Sequence, residues 1–139
     1  MRRAVITGLG IVSCIGNNQK EVLKSLRGAE SGISFSDEFA EMGFRSQIWG
    51  KPSIDVSEHI DRRERRFMGE GAAYNYIAMQ QAIEDAGLGE KEVSHEGTGL
   101  IMGSGGPSVI NLIETADTAR KRGPKKVSPF MVPRTMSST

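Results

Sequence analysis

Four kinds of residue in this chain could do chemistry: glycines at strand ends, one cysteine, two histidines and a cluster of arginines. Gly8-Leu9-Gly10 follows the β-branched pair Val5-Ile6, where a dinucleotide fold turns its backbone round a pyrophosphate. That fingerprint also needs a glycine in the first helical turn and an acidic residue closing the next strand. Gly16 comes too late, and no second strand ends in Asp or Glu at the right distance. A nucleotide-binding α/β domain is therefore the weaker alternative. Gly103-Ser104-Gly105-Gly106 could cradle an anion ahead of a helix. It lacks the Lys and Ser/Thr of a phosphate loop, and a close-packed turn suits it better. His59 and His95 stand in polar surroundings without ligand-spaced partners, so no metal site is expected. Cys14 has no cation or histidine near it in sequence, which suits a small core residue better than an activated thiolate.

Asp61-Arg62-Arg63-Glu64-Arg65-Arg66 is the most suggestive charge feature. Two readings stand. It is a solvated helix end that Glu64 and Glu70 neutralise, or, with Lys125 and Lys126, a basic landing patch for an acidic partner.

These residues need elements to hold them. Arg3 to Gly16 is apolar with little alternation, the pattern of a strand covered on both faces, and Val5 to Val12 is its centre. Gly8 and Gly10 inside it mark a bend, a bulge or another backbone pressed close. Asn18 is placed to cap a short helix from Gln19 to Arg27 with Val22, Leu23 and Leu26 on one face, ended by Gly28. Ala29 to Lys51 reads as a long excursion with a brief strand near Gln47-Ile48-Trp49, and Pro52 to Ile60 as irregular. One long helix is predicted from Asp61 to Gly87. Its small residues, among them Ala78, Ala82 and Ala86, would admit a close backbone. Glu84 and Asp85 oppose its dipole, so packing must fix it. Thr98 to Gly103, with Leu100 to Gly103 at its centre, is a second buried strand of the same sheet. Ser108 then caps a helix from Val109 to about Arg122 with Leu112, Ile113 and Ala116 inward, and Lys121 to Lys126 makes a basic turn. Val127 to Thr139 is apolar and ends without a cap or charged tail, as a cut chain would.

Composition bounds the function classes. The 139 residues predict one domain, long enough to bury about two-thirds of its unfolded surface. A net charge of +1 gives no global field for nucleic acid. A single cysteine cannot make an intrachain disulfide, which fits a reducing compartment. Arg2 and Arg3 ahead of an apolar stretch resemble the start of a signal peptide, but glycines interrupt it and no cleavage pattern follows. No apolar run reaches the roughly 20 residues of a membrane helix, so a cytoplasmic protein without membrane contact is expected.

Taken together, several stretches resemble the β-ketoacyl-[acyl-carrier-protein] synthases. They are Arg3 to Ser13, Ile15-Gly16-Asn17, Ser31-Gly32-Ile33, Asp61-Arg62, Arg66-Phe67-Met68, Gln81-Ala82-Ile83, Asp85-Ala86-Gly87-Leu88 and Gly103-Ser104-Gly105-Gly106. Tyr74, Glu84 and Arg45-Ser46 with Trp49-Gly50 are similar to the type I branch. The basic turn, Arg122 to Phe130, is shorter than in that branch and closer to the type II pattern. The likeness covers the whole chain but only about the first third of a family member. It implies an α/β, thiolase-like fold layered α-β-α-β-α, of which residues 1–139 are an incomplete first half. It further implies a homodimer, no cofactor, and acyl carrier protein as partner. The chemistry implied is acyl transfer to cysteine followed by decarboxylative Claisen condensation. The cysteine and two histidines for it would lie beyond Thr139, leaving no catalytic residue in this chain. On the same resemblance Arg62, Arg63, Arg66, Lys125 and Lys126 dock the carrier, and Met136 lines the partner subunit's acyl channel. A non-catalytic module for dimerisation or carrier binding is the alternative.

Overall fold

The computed structural model describes residues 3–136, which fall into two compact units. The first comprises Met1–Ile54 and Ala78–Leu88, the second Asp55–Ile77 and Gly89–Thr139.

In the first unit the opening run is extended, but it is not a buried strand. Val5 and Ile6 are exposed, and residues 3–12 lie in no ladder. This corrects the expectation of a strand covered on both faces. A strand exists only beside another strand, and no described segment runs alongside this one in hydrogen-bond register. Its backbone is held instead by side chains of a helix. Gln81 Oε1 accepts from Ile11 N at 3.0 Å, and Asp85 Oδ2 accepts from Leu9 N at 3.0 Å. Gln81 Nε2 donates to Asn17 O at 2.7 Å, while Gln19 Nε2 donates to Leu9 O and to Asp85 Oδ2. Residues 81 and 85 lie one helical turn apart, and Leu9 and Ile11 share one side of an extended chain, so two periodicities meet. Gly8 and Gly10 make the approach possible. A Cβ on either would overlap helix backbone, at Ala82 and Ala86 for Gly8 and at Ala78 and Ala82 for Gly10.

Helix α1 spans Gln19–Arg27. Asn18 Oδ1 accepts from Glu21 N at 3.0 Å, and the Glu21 carboxylate returns to Asn17 N at 2.8 Å. The Asn17 bond first, and then Asn18 Nδ2 donating to Glu21 Oε1 at 2.7 Å, hold the Glu21 carboxyl below its usual range. The inward residues of α1 are Val22 and Ser25, whereas Leu23 and Leu26 are exposed. Ser25 Oγ donates to Ile15 O at 2.7 Å, and this bond turns the 22/25 face inward in place of the leucines. The excursion that follows carries β1 (Ser34–Phe35) antiparallel to β2 (Ile48–Trp49), with α2 (Asp37–Glu41) between them. Ser36 is fully buried, capping α2 at Phe39 N and donating its own N–H to Gln47 O. Phe39 sits edge-on to Phe44 and to Trp49.

The second unit holds α3 (Arg62–Arg65), residues 70–77 of α4 (Glu70–Asp85), α5 (Glu90–Val93), α6 (Val109–Arg122) and α7 (Met131–Thr135). Ile60, Ala73, Ile77 and Met131 are its buried apolar residues. The single helix predicted from Asp61 to Gly87 is two. Phe67 N and Met68 N bond three residues back, to Glu64 O and Arg65 O, which tightens the turn. Gly69 is buried after it, and a Cβ there would lie 2.9 Å from Arg134 O and 3.1 Å from Ser108 Cβ. Helix α6 starts where predicted, but the Ser108 side chain does not cap it; Ser108 Oγ accepts from Asn111 Nδ2 at 2.7 Å. Asn111 is thereby the buried residue of α6, and Leu112 and Ile113 point out, against expectation. Leu100 to Gly103 is likewise exposed and unpaired, a second correction with the same cause as the first.

Candidate functional site

Asp61 starts α3 by accepting from Arg63 N at 2.7 Å, which sets Arg62, Arg63, Arg65 and Arg66 on a short exposed helical turn. The acidic residues that could have neutralised them are engaged elsewhere. Glu64 accepts from Tyr76 OH at 3.4 Å and Glu70 from Tyr74 OH at 2.9 Å. Burial, reinforced by the Glu70 bond and charge, pushes the Tyr74 phenol up to about 12, and burial with the Glu64 charge raises that of Tyr76. Among the described residues the one ion pair within 4.0 Å is Lys121–Asp117, and no carboxylate reaches any of the arginines.

Arg66 is held differently from its neighbours. Its guanidinium carbon lies 4.8 Å from the Phe67 ring centroid and 4.8 Å from that of Phe130. The two rings meet edge to face, 5.2 Å apart at 88°. A cation over two aromatic faces keeps its edge N–H groups free for an anion. Sequence reading missed this pair of rings. Phe67 adjoins Arg66, but Phe130 comes from far along the chain and nothing in the pattern links them. Gly123, at φ 86°, stops α6 and turns the chain into a one-turn 3₁₀ helix, Pro124–Lys126, with Lys125 and Lys126 exposed. Met136 ends α7, half exposed, its N–H donated to Pro133 O at 3.1 Å.

The other candidate residues are occupied structurally. Cys14 is wedged between Gly32 and Gly50; a Cβ on Gly32 would lie 2.8 Å from its sulfur and one on Gly50 3.1 Å. It borders a depression of about 300 Å³ lined also by Glu21, Lys24, Ser25, Glu30 and Ser53. Gly8 and Gly10 face helix backbone, not open space for a pyrophosphate. Ser104 Oγ donates to Gly106 O at 2.8 Å, closing the Gly103–Gly106 loop on itself. His95 Nδ1 accepts from Gly97 N, and His59 closes a 3₁₀ turn. Among the described residues no three potential metal ligands cluster, and no helix is long and apolar enough to cross a membrane.

Known proteins resemble the chain from end to end. The family model described as "Beta-ketoacyl synthase, N-terminal domain" matches residues 1–139. The chain is 51% identical over 140 residues to 3-oxoacyl-[acyl-carrier-protein] synthase 1 of Haemophilus influenzae, covering 100% of this chain and 34% of that protein. It is 50% identical over 140 residues to synthase 1 of Escherichia coli K12, covering 99% and 34%. Its backbone superposes on the ishigamide ketosynthase/chain length factor with a TM-score of 0.81 at 24% identity, covering 95% of this chain and 33% of that one. The chain therefore spans about a third of the length of the curated relatives it matches.

Proposed function

Because the chain belongs to the β-ketoacyl synthase family, as its N-terminal domain and with its thiolase-like fold, we propose that it forms the opening third of a cytoplasmic, homodimeric type I condensing enzyme of fatty-acid synthesis. The observation that carries this is the 51% identity across the whole chain to a 3-oxoacyl-[acyl-carrier-protein] synthase 1. In the reaction a cysteine thiolate attacks an acyl thioester and the carrier thiol leaves. Malonyl-carrier then loses CO₂. Its enolate attacks the cysteine-bound acyl group, and the thiolate leaves as 3-oxoacyl-carrier forms. The nucleophile and the two histidines that stabilise the oxyanions come from residues after Thr139. The sheet neighbours of residues 3–12 and 100–103 come partly from there as well.

The part of this chain is recognition. Arg62, Arg63 and Arg66, with Lys125 and Lys126, receive the acidic carrier, and Met136 lines the acyl channel across the dimer axis. Support for the first assignment is that no carboxylate within 4.0 Å competes for the arginines among the described residues. Support for the second is that Met136 is 52% exposed here, which leaves about half of it open to another surface. Rim charges of this kind act mainly on the rate of encounter and are screened by salt. In the full-length protein the double reversal Arg62→Glu, Arg66→Glu should raise the KM for acyl-carrier at low salt, and the gap to wild type should close as salt rises. A KM unchanged at low salt would remove the patch. Failure of the wild type to turn malonyl-carrier and an acyl primer into 3-oxoacyl-carrier would remove the function.

A further inference from the structure

Residues 66–69 grip the last helix at both ends. The Arg66 and Phe67 side chains hold the Phe130 ring, immediately before α7 begins. Gly69 is pressed against Arg134 O, one turn later in α7, where a Cβ would stand 2.9 Å away. A five-residue helix cannot sustain itself, so its place depends on such contacts. Its backbone is fixed to the gripped ring: Phe130 N donates to Ser128 Oγ at 3.3 Å, and Phe130 O accepts from Arg134 N at 3.2 Å. Met131, the next residue in the chain, is buried, and Met136 leaves the far end of the same turn.

We propose that Arg66 is a positioning residue that couples the basic surface to the turn bearing Met136, so that an acidic group bound at Arg66 acts on acyl-chain selection. This rests on the carrier-docking reading above. The guanidinium is suited to the task because it presents two surfaces. Its charged carbon lies 4.8 Å from both ring centroids, while the N–H groups not turned to the rings can donate to a carboxylate or phosphate from the same position. An anion on the edge polarises and orients the group and so steadies the stack. Lysine, a point charge, can reach a ring but cannot hold both rings and a bidentate anion at once.

The test uses the full-length protein and two readouts. The first is the ratio of kcat/KM for long-chain over short-chain acyl pantetheine thioesters, which carry no carrier protein. Arg66→Gln and Phe130→Leu should each move this ratio about two- to fivefold in the same direction, the range expected when an exposed cation–π contact is lost. The double variant should go no further than either single one, and Arg66→Lys should restore part of the ratio. Arg63→Gln removes the same charge without touching the rings, so it should raise the KM for acyl-carrier and leave the ratio at its wild-type value. The second readout is hydrogen exchange of the amides of residues 131–136, which needs no turnover. Arg66→Gln should speed it about two- to fivefold, and added carrier should slow it in wild type. If Arg66→Gln raises only the KM for carrier, with the ratio and the 131–136 exchange unchanged, the coupling is refuted. If wild type lacks condensation altogether, the functional reading fails, while the Arg66→Gln exchange result still decides whether Arg66 holds α7.

Discussion

Replacing Gly10 with alanine should damage this protein more than any surface substitution, for a reason that can be worked from distances. A Cβ at position 10 falls on the Ala78 carbonyl oxygen. It also stands 2.7 Å from the Ala78 carbonyl carbon and 2.9 Å from the Ala82 nitrogen. All three are helix backbone, so no rotamer change relieves the overlap. The extended run and α4 must separate by more than about an ångström to clear that oxygen, and overpacking of this kind costs about 1–3 kcal/mol. Separation also stretches the half-buried bond from Ile11 N to Gln81, worth a further 0.5–1.5 kcal/mol or about that. The expected loss is thus about 2–4 kcal/mol, set against a control in the same helix. Gly71, in α4, has nothing within 4 Å of a Cβ, and Gly71→Ala should stabilise by about 0.5–1 kcal/mol through helix propensity alone. Hydrogen exchange of the α4 amides under native conditions measures both changes as local opening free energies. Gly10→Ala within 0.5 kcal/mol or so of wild type would refute the close-approach reasoning.

The Asp85 carboxyl is held below the usual aspartate range by bonds from Gln19 and from Leu9 N. Its contribution is therefore complete above that range and is lost as pH falls through the depressed value. Asp85→Asn should abolish the acid-side rise in exchange of the Leu9 amide, and an unchanged pH profile would reject the bond. Met136→Phe in the full-length enzyme should shorten the acyl chains accepted while sparing acetyl-sized primers; loss of stability with an unaltered chain-length profile would make Met136 a packing residue only. The 139-residue chain expressed alone should be inactive and should self-associate, since Ile6 at 90% and Ile101 at 96% exposure offer unpaired apolar edges. A sharply cooperative melt of a monomer by calorimetry and sedimentation would overturn that expectation.

What the sequence made legible was local. Asn18, Gly28 and the period between them delimit α1 because caps and helix periodicity are read from neighbours in the chain. Gly8 with Gly10, and Ala78 with Ala82 and Ala86, each announced a close approach, and the two sets meet one another. The opposed dipole at Asp85 was a true signal too: Asp85 is at the helix end to accept from Leu9 and Gln19. Strand pairing was not legible, because a ladder needs a partner from elsewhere and apolar β-branched runs declare only a willingness to pair. The face of α6 departs from the one that Leu112, Ile113 and Ala116 predict, because a buried Asn111 bonded to Ser108 outweighs that apolar pattern. At the basic surface the arginines were visible but their environment was not. Whether Glu64 neutralises them or serves Tyr76, and whether Arg66 lies on Phe130, are decided by tertiary contacts.

The side-chain staple on residues 9–11 also has a meaning in time. Leu9 and its acceptor Asp85 are separated by 76 residues, Ile11 and Gln81 by 70. At roughly 5–20 residues per second of synthesis, the opening run waits on the order of 4–15 seconds outside the ribosome before its helix arrives. Through that interval it is a naked apolar segment of high β-propensity, the kind that recruits neighbouring nascent chains. The two glycines that later admit α4 weaken that tendency meanwhile, because a glycine-interrupted segment makes a poor cross-β template. Gly8 and Gly10 would then be kept for the unfinished chain as much as for the finished one, and a substitution there would surface first as lost yield during translation.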